Sequence, residues 1–219
     1  FTNVSDLATN PITVAHSADT LVEGAEQYSL AITLGSAPLG TTASAVPFSG
    51  TITDANSATV SLSGSATVAE AIGSTPLTVT LNTAAGNTLE NAAGVAINLT
   101  DGTATYVGGS GDYFFNGPNN TLTVNFTAGA GNGATQSAPV NIREDVLVEG
   151  TESFAASLGA VTGSATASGG PATVTITDND LATVSFQTAS SSVGEAVAPH
   201  SVNALLTITA VGSGTAALA

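Results

Sequence analysis

The sequence contains no cysteine, methionine, tryptophan or lysine, and Arg143 is its single arginine. Without cysteine there can be no disulfide, no thiolate metal site and no cysteine nucleophile. One arginine against 16 acidic residues leaves a formal charge of -15. Such a chain cannot neutralise phosphates, which excludes nucleic acid, anionic membrane surfaces and polyphosphate cofactors as partners. No run of 18 apolar residues and no basic segment followed by an apolar one occurs, so no membrane insertion and no secretory leader is expected within this stretch. The two histidines, His16 and His200, stand far apart and outside any zinc-type spacing, and the residues between them contain none. A Ser-His-Asp triad is therefore not expected, and the chain reads as a non-enzyme. Aromatic residues make up 5% of a sequence that is 42% hydrophobic, so the core must be lean and built from Val, Leu, Ile and Ala.

What fills the chain is Thr, Ser, Gly, Val and Ala in period-two patterns. Leu77-Thr78-Val79-Thr80-Leu81, Leu122-Thr123-Val124-Asn125-Phe126 and Thr173-Val174-Thr175-Ile176-Thr177 each alternate apolar with polar. Alternation of this kind places one face of a strand on a core and the other in water. Clusters such as Gly108-Gly109-Ser110-Gly111 and Gly129-Ala130-Gly131-Asn132-Gly133 supply turns. No segment carries a capped helical stripe. The expectation is an all-β chain of antiparallel sheets packed as two-layer sandwiches.

The sequence repeats itself. Ala58-Thr59-Val60-Ser61-Leu62 returns as Ala182-Thr183-Val184-Ser185-Phe186, and Thr51-Ile52-Thr53-Asp54 as Thr175-Ile176-Thr177-Asp178, both about 124 residues on. Leu21-Val22-Glu23-Gly24-Ala25-Glu26 returns as Leu147-Val148-Glu149-Gly150-Thr151-Glu152 after about 126. A period of this length is one domain. The phase of the matches divides the chain into a closing half-unit at 1–56, a complete unit at 57–181 and the opening strands of a third at 182–219. A half-sandwich leaves the inner face of its sheet open. The expectation is that further repeats of the same chain, or other copies joined head to tail, complete the two partial units. The joint Asp178-Asn179-Asp180-Leu181 is too short for free rotation, so successive units should stack end to end.

Thirteen of the 16 acidic residues sit at or beside the repeated motifs: Asp19, Glu23, Glu26, Asp54, Glu70, Asp112, Glu144, Asp145, Glu149, Glu152, Asp178, Asp180 and Glu195. Crowded carboxylates raise one another's pKa unless a cation stands among them. The chain has almost no basic side chains to serve, so a hard divalent ion with oxygen ligands is the expected counterion, and Ca2+ fits because it takes six to eight ligands in irregular geometry. Arg143 is expected to pair with its neighbours Glu144 and Asp145. Tyr113 and Phe115, alternate members of a strand after the Asp112 turn, are expected in the core.

These motifs resemble the Calx-beta domain family. The resemblance is carried by Val68-Ala69-Glu70, by Asp101-Gly102-Thr103-Ala104 with Gly111-Asp112-Tyr113, by the run from Glu144-Asp145 through Val148-Glu149-Gly150-Thr151-Glu152-Ser153-Phe154, and by Thr175-Ile176-Thr177-Asp178-Asn179-Asp180. It implies tandem Greek-key sandwiches of about seven strands per complete domain, with Ca2+ held in loops at one end. The implied metal ligands are Glu70, Asp112, Glu144, Asp145, Glu149, Glu152, Asp178 and Asp180. In the partial units Asp19, Glu23, Glu26 and Asp54 match the closing half, and Glu195 matches Glu70; Asp101 is a turn residue rather than a ligand. Two departures stand out: Asn179 interrupts the last acidic run, and Asp54-Ala55-Asn56 ends the first unit with fewer charges, which implies a weaker first site. The expected function is a calcium-stiffened structural array of a secreted or cell-surface protein: a stalk, an adhesin segment or a filament building block facing a surface protein or glycan. A calcium-sensing regulatory module and a carbohydrate-binding module are the alternatives.

Overall fold

The computed structural model describes residues 9–36, 39–106, 111–115, 120–196, 198–212 and 214–219. The turn expected at Gly108-Gly109-Ser110 lies outside these residues. In chain order the first strands are β1 (Leu21–Val22), β2 (Glu26–Leu30) and β3 (Phe48–Ile52). Then follow β4 (Ala58–Ser63), β5 (Ala66–Ala69), β6 (Ser74–Thr83), β7 (Thr88–Leu89), β8 (Ala93–Asp101), β9 (Tyr113–Phe114), β10 (Thr121–Phe126) and β11 (Thr135–Ile142). The last are β12 (Leu147–Val148), β13 (Glu152–Val161), β14 (Ala165–Ala167), β15 (Ala172–Thr177), β16 (Leu181–Phe186), β17 (Ala204–Thr209) and β18 (Ala217–Leu218). One short 3-10 turn, Glu70–Ile72, interrupts the strands. No helix among the described residues is long and apolar enough to cross a membrane.

The middle of the chain is a sandwich of two sheets, β10-β8-β13-β15-β5 facing β14-β4-β6-β11-β9. The chain repeatedly crosses between layers, so that β8 lies beside β13 and β6 beside both β4 and β11, which is a Greek-key arrangement. The pairing is not wholly antiparallel as the alternation suggests: β14 runs parallel to β4, and β15 parallel to β5. The cause is that the opening and closing strands are each split between the two sheets. The opening strand changes sheet at Gly64, whose φ of +133° suits glycine and whose site leaves no room for a side chain, since an added Cβ would stand 2.8 Å from Leu77 Cδ2. Taking β4 with β5 and β14 with β15 as single interrupted strands gives seven long strands plus the short β9 among the described residues.

The period-two reading holds in detail. Leu77, Val79 and Leu81 of β6, Val124 and Phe126 of β10, and Val174 and Ile176 of β15 are buried, while Thr123, Asn125 and Thr173 are exposed and Thr175 is half-buried. Tyr113 and Phe115 enter the core with Phe114 between them only half-buried, and the Tyr113 ring stacks on Phe154 at 4.0 Å. Removing a Leu or Phe side chain of this kind from water contributes about 1.5–3 kcal/mol.

On either side of the sandwich stand two hairpins, β2 with β3 and β16 with β17. Two-residue parallel pairings join segments distant in sequence: β1 with β7, and β12 with β18. Val22 of β1 is buried in the same core cluster as the central sandwich.

Candidate metal centre

Strand ends gather at one end of the sandwich, and each brings a carboxylate with it. Glu70 starts the 3-10 turn after β5; Asp112 precedes β9; Glu144 and Asp145 follow β11; Glu149 and Glu152 flank Gly150 where β13 begins; Asp178 and Asp180 follow β15. Segments more than a hundred residues apart in sequence thus share one site.

Asp112, Glu149 and Glu152 form its centre, each offering one carboxylate oxygen within 4.8 Å of the others. With Glu70, Arg143, Gly150, Ile176 and Asp178 they line a small cavity. Burial pushes Glu70 up to about 7 although it accepts the Asp145 N–H, and the charges of Asp145, Glu144 and Asp178 add to the rise. Glu152 is likewise pushed up to about 7 by burial and then by Asp112 and Glu149, and Glu149 is raised by burial and by Asp112, Asp145, Asp178 and Asp180. Among the described residues no ion pair with a basic side chain holds these groups ionised.

Backbone donors fix the carboxylates in place. Asp178 accepts the N–H groups of Glu149 and of Asp180, each at 2.6 Å. Glu70 Oε1 accepts the Asp145 N–H at 2.8 Å, and Asp145 Oδ1 accepts the Leu147 N–H at 2.8 Å. Asp112 Oδ2 accepts both the N–H and the hydroxyl of Thr105, at 2.6 and 3.2 Å.

Beside this trio lies a second group. Asn179 Nδ2 donates to Glu144 Oε1 at 2.9 Å, and Val211 N–H donates to Asp180 Oδ1 at 2.7 Å. The remaining oxygens, Glu144 Oε2, Asn179 Oδ1 and Asp180 Oδ2, are buried without a hydrogen-bond partner. Buried oxygens in that state cost free energy unless something positive meets them. A divalent cation fits this donor set: all the atoms are hard oxygens, several carry charge, and their directions are preset by backbone bonds.

One expectation needs correction. Arg143 does not pair with Glu144 or Asp145; its Nε donates to the Gly111 carbonyl at 2.9 Å and its guanidinium lies 5.5 Å from the centre of the Phe114 ring. Its backbone N–H reaches the Asp112 carbonyl at 2.9 Å, which brings Asp112 to the site. Asn179, which interrupts the acidic run, donates its amide to Glu144 and keeps its carbonyl oxygen without a partner. Asp101 keeps the structural role expected of it, accepting from Tyr106 N–H at 2.8 Å and from the Tyr113 hydroxyl.

In the first unit Asp19, Glu23, Glu26 and Asp54 line one cavity together with Asn56. Asp54 accepts the N–H groups of Glu23 and Asn56, at 2.6 and 2.7 Å, and these bonds lower its pKa. Glu195 is exposed, and no acidic residue follows it in the sequence.

The family model of the Calx-beta domain matches residues 53–180, more than half of the chain. The chain belongs to the Calx-beta domain family. Among solved structures, this Calx-beta chain is similar to the apo-form Calx CBD1 domain, with 22% identity over 55% of this chain and 98% of that one and a TM-score of 0.44. It is also similar to CBD12 of CALX1.2, with 21% identity over 55% of this chain and 44% of that one and a TM-score of 0.43. The calcium binding domain CBD12 of CALX1.1 gives 23%, 54%, 44% and 0.43 for the same quantities. The Calx-beta chain thus spans less than half the length of the two CBD12 chains. No curated protein matches it at a significant level.

Proposed function

We propose that this Calx-beta chain is a calcium-binding structural segment, and a binding module rather than an enzyme. The observation that carries the reading is the trio Asp112, Glu149 and Glu152 standing beside the buried, unpartnered oxygens of Glu144, Asn179 and Asp180. Glu70, Asp112, Glu149, Glu152 and Asp178 would hold one part of the metal centre, and Glu144, Asp145, Asn179 and Asp180 the other. The ion supplies the positive charge that a chain with one arginine and no lysine lacks. Asp19, Glu23, Glu26 and Asp54 would form the corresponding, poorer site of the first unit, and Glu195 would contribute to a site in the third.

An ion bound by strand ends so distant in sequence stiffens the end of the sandwich where the chain passes into its next unit. That favours a stalk, adhesin segment or filament element outside the cell, where free Ca2+ is high enough to fill sites of moderate affinity. Melting the 219-residue chain in excess calcium and again in chelator tests the reading. Ions bound by the folded state alone add about 2.7 kcal/mol when their concentration is 100 times Kd, so the midpoint should rise. Equal midpoints would overturn it.

A further inference from the structure

The two joints between successive units are built alike in their backbone and differently in one side chain. At the first, Thr88 N–H donates to Thr20 O at 3.1 Å and Glu90 N–H to Val22 O at 3.2 Å; at the second, Ala217 N–H donates to Val146 O at 3.3 Å and Ala219 N–H to Val148 O at 3.2 Å. Asp19 Oδ1 accepts from Leu21 N–H at 2.8 Å as Asp145 Oδ1 does from Leu147 N–H. Asp54 bonds Glu23 and Asn56 as Asp178 bonds Glu149 and Asp180. The pair that breaks the correspondence is Asn56 and Asp180.

Asn56 uses its whole amide. Its Nδ2 donates to the carbonyls of Asp19 and Leu21 at 3.1 and 2.9 Å, and its Oδ1 accepts from Nδ2 of the buried Asn87 at 2.7 Å. One side chain therefore ties the end of β3, the start of β1 and the loop before β7 of the following unit. Asp180 can do only part of this. Its Oδ1 accepts from Val211 N–H, but a carboxylate has no hydrogen to give to the carbonyls of Asp145 and Leu147, the counterparts of Asp19 and Leu21. Its Oδ2 is left without a partner in a residue only 9% exposed. A cation can bridge a carboxylate to carbonyl oxygens, and a fully bonded amide needs none.

We propose that the residue at this position sets how each joint is locked: the joint at Asn56 by its amide, in the absence of metal, and the joint at Asp180 only when a cation is bound. The cation half rests on the calcium reading above; the amide half does not. The array then combines a permanently stiff joint with a calcium-gated one.

The chain has no cysteine, so spin labels can be placed by pairs of exposed substitutions. Ser49→Cys with Thr123→Cys spans the first joint, and Thr123→Cys with Ser185→Cys the second. Distance distributions would be measured by electron double resonance in calcium chloride and in EGTA. The first joint should give the same narrow distribution in both solutions, and the second should broaden in EGTA. In an Asn56→Asp background the first joint should broaden in EGTA and narrow again with calcium; in Asp180→Asn the second should stay narrow in EGTA. Broadening of the first joint on chelation in the labelled chain that keeps Asn56 would overturn the proposal, as would an Asn56→Asp joint that stays narrow in EGTA. Failure of the calcium reading itself would appear separately. The second joint would then be indifferent to EGTA and calorimetry would show no calcium binding, which removes the cation half, while Asn56→Asp would still broaden the first joint in every solution.

Discussion

Asp178 accepts the backbone N–H of Glu149 at 2.6 Å, and through that bond the end of the closing strand β15 holds the segment that leads into β13. The same carboxylate takes the Asp180 N–H at 2.6 Å, so a single side chain orders both acidic arms of the proposed metal centre. Asp54 does the same for Glu23 and Asn56 in the first unit.

Asp178→Ala should therefore cost more than a lost ligand. Two N–H groups lose a charged acceptor, each such bond being worth about 1.5–3 kcal/mol. The chain should unfold at lower denaturant even in chelator, and calcium should recover only part of the difference. Urea titrations with and without calcium measure both effects.

The raised carboxyls fix the pH dependence of the metal-free chain. Glu70 and Glu152 are pushed up to about 7 in the folded state from an ordinary 4.5, so the folded chain binds more protons than the unfolded one across that interval. Stability from these two groups is fully present below pH 4.5 and is lost as pH rises through 7. In EGTA the melting midpoint should fall between those values. With calcium present the trend should reverse, because an ion competes with protons for the same oxygens. Thermal melts across the pH range in both solutions check the crossing.

In the core, Phe154 is buried and stacked on Tyr113, and nothing around it can close a hole of that size cheaply. Phe154→Ala should destabilise the sandwich by about 3–5 kcal/mol in denaturant titrations. Thr123→Ala, on the exposed face of β10, should stay within about 0.5 kcal/mol.

The strands that could be read from the sequence are those whose two faces meet different surroundings. Leu77, Val79 and Leu81 alternate with threonines because β6 has a core on one side only, and side-chain burial follows period two. The splitting of the opening and closing strands between sheets leaves no such mark. It depends on Gly64 lying against Leu77 of the neighbouring strand β6, which is a tertiary fact. Part of the candidate site is legible through repetition, since Glu70, Asp145, Glu149, Glu152 and Asp178 have counterparts in Glu195, Asp19, Glu23, Glu26 and Asp54, whereas Asp112, Glu144 and Asp180 are implied by the family resemblance alone. Arg143 is taken up by the Gly111 carbonyl and the Phe114 ring, partners that only the fold brings near it. From the sequence Asn56 is a missing charge, and Asn179 an interruption of the acidic run that can still offer a carbonyl. Their amide donors act through carbonyls and carboxylates that only the fold brings near, so those donor roles are not legible in the sequence.

Calorimetric titration of calcium into the unsubstituted 219-residue chain and into the triple variant Asp112→Asn, Glu149→Gln, Glu152→Gln tests the central claim most directly. The account expects saturable binding to the first and fewer ions bound to the second, with circular dichroism showing the strands of both intact. No binding to the unsubstituted chain, or equal stoichiometry and affinity in the folded triple variant, would contradict it.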